Sequence, residues 1–321
     1  MGMRSLAASV ALIAGLGFVV GCGQINQVRT MKAFKDGNKL YAGSDYRAAA
    51  AKYEEALQMD TDGQTQTCQV GPGCVYFYLG NSYDNMYRPA RKGEPANDAL
   101  LEKAIANYKL ASEKITQDEK MRTLSLEYLV AAYGPDKLND PTQAEPVVKR
   151  MIEISPKEPT NYFALGKIYE DSGEYELAEQ TYLRAKEAKP NDPEVYTRIA
   201  AYYNRQGDFG KLIEYLNEAI KLQPRDPTPY YTIATYYWDK AYRDFRLSDK
   251  DKMQYVNDGL AAVDKAIELK PDYMEAITYR GLLLRAQALL EKDPAKQKAL
   301  LQEADKLRDK ADQLRKAKAA S

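Results

Sequence analysis

The stretch that decides the fold runs from Pro156 to Pro227. It contains Pro156-Lys157-Glu158-Pro159, then Pro190-Asn191-Asp192-Pro193, then Pro224-Arg225-Asp226-Pro227. These tetrapeptides start at 156, 190 and 224, a step of 34 residues. Other positions keep that step: Tyr162, Tyr196 and Tyr230; Leu165, Ile199 and Ile233; Gly166, Ala200 and Ala234; Tyr169, Tyr203 and Tyr237. A fixed period of this length marks a repeat architecture, in which each unit buries its apolar face only by stacking on its neighbours. Ala178, Tyr182 and Ala185 follow at spacings of 4 and 3, the core-facing stripe of a helix. Small residues let two helices approach, and the large ones fill the space between them. Each repeat therefore reads as an antiparallel helix pair.

The same pattern extends in both directions. Gly37, Ala49, Tyr53 and Ala56 reproduce the offsets of Gly166, Ala178, Tyr182 and Ala185, and mark a first repeat. Tyr76, Leu79, Gly80 and Tyr83 mark the first helix of a second repeat; Ala104, Tyr108 and Ala111 mark its partner. Gly80 and Ala104 lie 24 residues apart where the regular step is 12, so about a dozen residues are inserted, among them Tyr87 to Pro95. Two prolines and a glycine forbid a simple helix there, and the insertion reads as a surface excursion at a hairpin tip. The third repeat is degenerate: Leu126, Leu129 and Tyr133 mark its first helix, which Gly134-Pro135 ends.

The next three repeats begin at Pro159, Pro193 and Pro227, with Asp192 and Asp226 placed to cap their helices. Gly173 and Gly207 fall at turns where a positive φ is needed. The sixth repeat holds a second insertion, Ala241 to Lys252, without Gly or Pro. It predicts two lengthened helices, with Ser248 capping the second. A seventh unit begins near Met274, with Gly281 at a helix contact. Asp293-Pro294 starts a closing helix. Its amphipathic stripe of Leu300, Ala304, Leu307, Ala311 and Leu314 suits a terminal cap.

From about Met31 to the end the chain resembles tetratricopeptide-repeat proteins, most closely in the three central repeats. That resemblance implies an all-α, right-handed superhelical solenoid of six to seven repeats over residues 31–321. It also implies that the first helix of each repeat lines a concave groove. Carried onto this sequence, the groove positions are Phe34, Asn38 and Tyr41, then Phe77, Asn81, Asp84 and Asn85. They continue as Phe163, Lys167, Glu170 and Asp171, then Thr197, Asn204 and Arg205, and finally Tyr231, Thr235, Trp238 and Asp239. Aromatic rings flanked by amides and carboxylates suit an extended peptide or a partner helix. Phe163, Tyr231 and Trp238 stand out, because the core pattern does not require them. The periodic tyrosines are read as packing. The Lys/Asn clamp that grips a C-terminal carboxylate in chaperone-binding repeats is not matched, since Phe34 stands where the clamp has Lys.

The N-terminus carries a different signal. Arg4 precedes an apolar run from Leu6 to Val20, and the run ends in Val19-Val20-Gly21-Cys22. A run of that length fits a signal-peptide core. The tetrapeptide resembles the lipobox of bacterial lipoproteins. The resemblance implies that residues 1–21 are removed and that Cys22 carries lipid, palmitate among it. Two or more acyl chains hold a protein firmly to a membrane. Residues 22–30 then read as a tether, with the rest of the chain facing the periplasm. Gly23 stands where an Asp favours inner-membrane retention, so the outer membrane is favoured over the inner.

Cys68 and Cys74 flank Gly71-Pro72-Gly73. Three assignments stand: a structural disulfide, two free thiols, or a redox or metal role. An exported setting favours the disulfide.

Composition narrows the function. Lys plus Arg and Asp plus Glu are both 46, and a general nucleic-acid binder needs an excess of positive charge. There is no His, which removes the commonest general base and metal ligand. No phosphate loop or metal-ligand cluster occurs in the sequence, so neither a metal nor a small-molecule cofactor is expected. Carboxylates alternate with Lys and Arg, as solvated helix faces do. The expected role is a non-enzymatic scaffold or adaptor for protein segments in a bacterial envelope assembly: outer-membrane protein assembly, pilus or secretion machinery, or cell-wall machinery. The alternatives are a cell-wall- or glycan-linked enzyme or its regulator, and a structural subunit of a stable envelope complex.

Overall fold

A computed structural model describes residues 7–60 and 75–320, with side chains over 25–60 and 75–319. The side chain of Cys22, and Cys68 and Cys74 with their proposed bridge, lie outside the described residues. Among those residues are fourteen α-helices, one short 3₁₀ turn at Pro89–Arg91 and no strand. The helices are α1 Ala7–Ala42, α2 Tyr46–Met59, α3 Val75–Met86, α4 Pro95–Lys114, α5 Glu119–Tyr133, α6 Pro141–Ile154 and α7 Pro159–Asp171. They continue as α8 Tyr175–Ala188, α9 Pro193–Gln206, α10 Phe209–Leu222, α11 Pro227–Arg243, α12 Asp249–Leu269, α13 Met274–Leu290 and α14 Pro294–Ala320. The chain divides into two compact units, Met1–Thr181 and Tyr182–Ser321, with the boundary inside α8.

The periodic residues build these helices as their chemistry requires. Asp192 accepts from the Glu194 backbone N–H at 3.0 Å and Asp226 from that of Thr228 at 2.9 Å, each just ahead of a proline that has no N–H to lose. Glu158 caps α7 through Thr160 in the same way. Gly173 and Gly207 have φ of 78° and 74°, the left-handed geometry that turns one helix into its partner. The periodic tyrosines do more than pack. The phenols of Tyr162, Tyr196 and Tyr230 donate to the carbonyls of Pro156, Pro190 and Pro224 at 2.9, 2.7 and 3.2 Å. Each phenol thus ties a first helix to the turn before it, which explains why Tyr and the Pro pair share one period.

In the first unit the core is aromatic. Tyr53 and Tyr108 are fully buried, and Gly37 admits the first of them: a Cβ on Gly37 would lie 2.7 Å from its ring. First helices of successive pairs meet, α1 with α3. Residues 25–30, part of the expected tether, instead continue α1, and Thr30 is buried. A helix that already packs at residue 30 leaves less free spacer than the sequence pattern implied. Among the described residues, no helix is long and apolar enough to cross a membrane.

In the second unit Ile199, Leu212 and Leu216 fill the contact around α9 and α10, and Val256, Val263 and Leu283 fill that around α11 to α13. Again the first helices meet, α11 with α13. The insertion lengthens α11 and α12 to 17 and 21 residues, against 14 for α9 and α10. Ser248 caps α12, accepting from the Asp251 N–H at 3.2 Å, as its position predicted. The closing helix α14 packs on α13 through buried Ala304 and Ala311, with Leu300, Leu307 and Leu314 half-buried beside them.

Candidate functional site

In the first unit, α3 places Asn81, Asp84 and Asn85 three and four residues apart, on one helix face. They converge with Tyr41 of α1, Tyr46 at the start of α2, Tyr128 of α5 and Lys137 from the α5–α6 turn. Together these residues line an open polar recess of about 320 Å³. Its floor is a hydrogen-bond chain. The Tyr41 phenol donates to Asn81 Oδ1 at 2.6 Å, and Asn85 Nδ2 donates to the same oxygen at 2.7 Å. Asn81 Nδ2 donates to the Tyr108 oxygen at 3.3 Å, and that phenol donates to Asp84 Oδ2 at 3.1 Å. Lys137 Nζ reaches both Asp84 oxygens, at 2.5 and 2.7 Å.

The electrostatics follow from burial. The Asp84 carboxylate is almost fully buried, and an unpaired charge there would be costly; Lys137 neutralises it. Burial pushes the Tyr41 phenol up to about 12, and the neighbouring phenols of Tyr128, Tyr46 and Tyr78 add to this. Burial, then the Asp84 carboxylate, pushes the Tyr108 phenol far above its ordinary value. The Tyr41 and Tyr108 phenols therefore stay protonated at neutral pH, and the recess is lined by hydroxyls, amides and ring edges. Asn85 is exposed, and only its Nδ2 is committed, leaving its amide oxygen to accept. Such a lining suits the alternating N–H and C=O groups of an extended chain.

The second unit presents a different face. Tyr231 of α11 is half-buried against Tyr273 and Tyr279, with ring centroids 5.1 and 5.5 Å away. Trp238 meets Tyr279 edge-on at 5.8 Å and stacks on Tyr242 at 5.1 Å with an interplanar angle of 8°. Beside it Asp239 pairs with Arg243 at 2.6 Å. The result is an aromatic wall whose outermost ring, Tyr242, is 65% exposed.

Two tetratricopeptide-repeat family profiles match the sequence, over residues 137–201 and 193–226. Residues 137–226 carry tetratricopeptide repeats. The C-terminal part of a TPR repeat-containing protein from Cytophaga hutchinsonii has a TM-score of 0.56 at 14% identity, covering 88% of this chain and 98% of that one. That likeness shows a shared helical-repeat fold. A crystal structure of MamA has a TM-score of 0.41 at 22% identity, over 57% of this chain and 94% of its own. YrrB, described as a TPR protein with an unusual peptide-binding site, also has 0.41, at 18% identity over 63% and 90%. No curated protein matches the chain.

The groove positions expected from sequence divide into three groups. Phe34, Phe77 and Phe163 are only 2%, 4% and 4% exposed, and belong to the core. This corrects their assignment to a binding surface: truncating such a ring removes packing, at about 3–5 kcal/mol. Asn38 spends its Oδ1 on the buried Tyr53 phenol at 2.8 Å, which is structural work too. Lys167 and Asp171 pair with each other on the exposed face of α7. Asn204 and Arg205 stand exposed at the end of α9, with Arg205 donating back to the Ala201 carbonyl at 3.2 Å. Only Tyr41, Asn81, Asp84 and Asn85 converge in the first unit, and Tyr231, Trp238 and Asp239 in the second. The recess residues Tyr46, Tyr128 and Lys137 were not singled out from sequence. Tyr128 and Lys137 lie in the degenerate third repeat and its turn, where no period marks them.

Proposed function

We propose that this chain is a non-enzymatic scaffold that holds extended protein segments against its first-helix faces, as part of a bacterial envelope assembly. Lipid on Cys22 anchors it to a membrane, the outer one by preference. The observation that carries the binding role is the polar recess around Asn81 and Asn85, open to solvent and backed by a hydrogen-bond chain that fixes its geometry. The stack of half-buried Trp238 on exposed Tyr242 supports it, because pre-set aromatic surface is binding area ordered at low entropic cost. The anchoring role rests on the lipobox-like Val19 to Cys22.

The test is site-specific photocrosslinking in native membranes, with the reactive residue at Asn85, at Tyr242, or at exposed Glu102 on the second helix α4. Capture of defined proteins from the first two positions and not from the third is expected. Equal capture from all three would sink the binding assignment. Cys22→Ser is expected to move the protein out of the membrane fraction, and unchanged fractionation would remove the anchor. Thiol titration with and without reductant decides whether Cys68 and Cys74 are bridged, the state proposed for an exported chain.

A further inference from the structure

The polar recess does not end at Asn85. Asn85 and Tyr46 also line a second open recess of about 410 Å³, bounded by the α1–α2 turn and by the period-breaking insertion after Tyr87. The two differ in charge. In the first, Asp84 and Lys137 cancel. The second is lined by Arg47, Arg88 and Arg91, against Asp45 alone. Asp45 accepts from the Ala48 N–H at 3.1 Å as the cap of α2, and its single charge leaves the lining with an excess of positive charge. Arg91 is spent, since its Nε lies 3.0 and 2.9 Å from the two Glu94 oxygens. Arg47 makes no hydrogen bond or ion pair among the described residues. Arg88 gives one Nη1 bond to the Asn85 carbonyl at 3.0 Å and keeps its other donors.

This basin is held in place from below. Asn97, only 6% exposed, accepts from the Arg88 N–H at 2.9 Å and donates to the carbonyls of Arg88 and Arg91, both at 3.1 Å. One buried amide thus fixes the backbone that presents Arg88 and Arg91, while Arg47 is presented by the first turn of α2. A planar guanidinium with unspent donors fits a carboxylate fork-to-fork, and two around one recess favour anionic side chains over neutral ones.

We propose that the Arg47–Arg88 basin is a carboxylate subsite. It takes an Asp or Glu side chain of an extended segment whose neighbouring residues lie over Asn85 and Tyr46. The proposal rests on the segment-binding role above and gives that segment its chemistry: acidic at one end, neutral and hydrogen-bonding at the other.

The test is fluorescence anisotropy on the purified full-length chain. The probes are labelled eight-residue peptides alternating Glu with Ala, or Gln with Ala, each with an amidated C-terminus. The Glu peptide is expected to bind at least about tenfold tighter than the Gln peptide at low salt. That advantage is expected to shrink as salt rises. Arg47→Gln or Arg88→Gln is expected to remove about tenfold each for the Glu peptide and to leave the Gln peptide unchanged. Arg88→Lys, which keeps the charge and loses the fork, is expected to fall between. Arg91→Gln is expected to change binding by less than about threefold, because Glu94 already holds that guanidinium. Equal binding of the Glu and Gln peptides would overturn the carboxylate subsite and leave the segment-binding role standing. Failure of both peptides would overturn both. A Gln peptide with a free C-terminus that binds as tightly as the amidated Glu peptide would assign the basin to a chain end, and overturn the side-chain assignment.

Discussion

The two insertions that break the 34-residue period are of similar length and pack in opposite senses. The first, after Tyr87, folds inward. Its aromatic residue Tyr87 is 3% exposed, and buried Asn97 ties its backbone down. The second, after Ala241, reaches outward. Tyr242 is 65% exposed, Phe245 is 86% exposed, and Leu289 at the neighbouring end of α13 is 77% exposed. Composition explains the difference. Pro89, Gly93 and Pro95 stop the chain from continuing as helix, so it must turn back and satisfy its backbone locally. Ala241 to Lys252 carries no such break, so the helices lengthen and their tip leaves the stack. That tip is nonetheless ordered: Asp244 receives Lys240 Nζ at 2.9 Å and the Arg246 guanidinium at 2.9 and 3.0 Å. One insertion builds a recess, and the other displays rings on a braced turn.

The contrast is sharpest at the two aromatic residues. Tyr87→Ala is expected to destabilise the chain by about 3–5 kcal/mol in urea unfolding, the range for truncating a buried ring. Phe245→Ala is expected to stay within about 0.5 kcal/mol, as exposed substitutions do. Comparable losses would erase the distinction between the insertions. The next largest effect belongs to the pin. Asn97→Ala leaves the Arg88 N–H without its acceptor and takes one of two donors from the Arg88 and Arg91 carbonyls, and is expected to cost about 2 kcal/mol. Faster proteolysis between Tyr87 and Pro95 would confirm that the amide holds this segment.

The outward insertion gives smaller effects. Ser248→Ala removes the cap of α12, and a loss of about 1 kcal/mol is expected from thermal unfolding. The braced turn also predicts a pH dependence. Hydrogen bonds from Arg246 and then Lys240 hold the Asp244 carboxyl well below the usual carboxylate range. A depressed folded-state value means stabilisation that is present above the ordinary value of about 4 and fades as pH falls below it. Trp238 is the single tryptophan and stacks on Tyr242 close to this turn, so its fluorescence reports the change. A transition below about pH 4 that disappears in Asp244→Asn is expected. An identical acid profile in the variant would detach the tip from that carboxylate.

Much of the fold is legible in the sequence, because its signals are local. Asp192, Asp226 and Ser248 cap within three residues of themselves, and Gly207 needs its φ whatever lies around it. The 34-residue step reports stacking directly, since each unit meets the same neighbour. The candidate site is legible only in part. Asn81, Asp84 and Asn85 share a face by helical spacing, but their partner Lys137 lies 53 residues on, in a turn without a period. Phe34, Phe77 and Phe163 mislead in the other direction. Large rings on first helices read as groove surface, yet neighbouring helices approach closely enough to cover them.

The sequence by itself therefore determined the helix pairs, their caps and turns, and the places where the repeat is interrupted. It did so because those features depend on backbone conformation and short-range hydrogen bonds. Only the tertiary structure decided which rings are covered, which insertion turns inward, and that the arginines of one come to line a recess beside Asn85 of α3. Those outcomes depend on contacts between residues far apart in the chain, and no spacing rule encodes them.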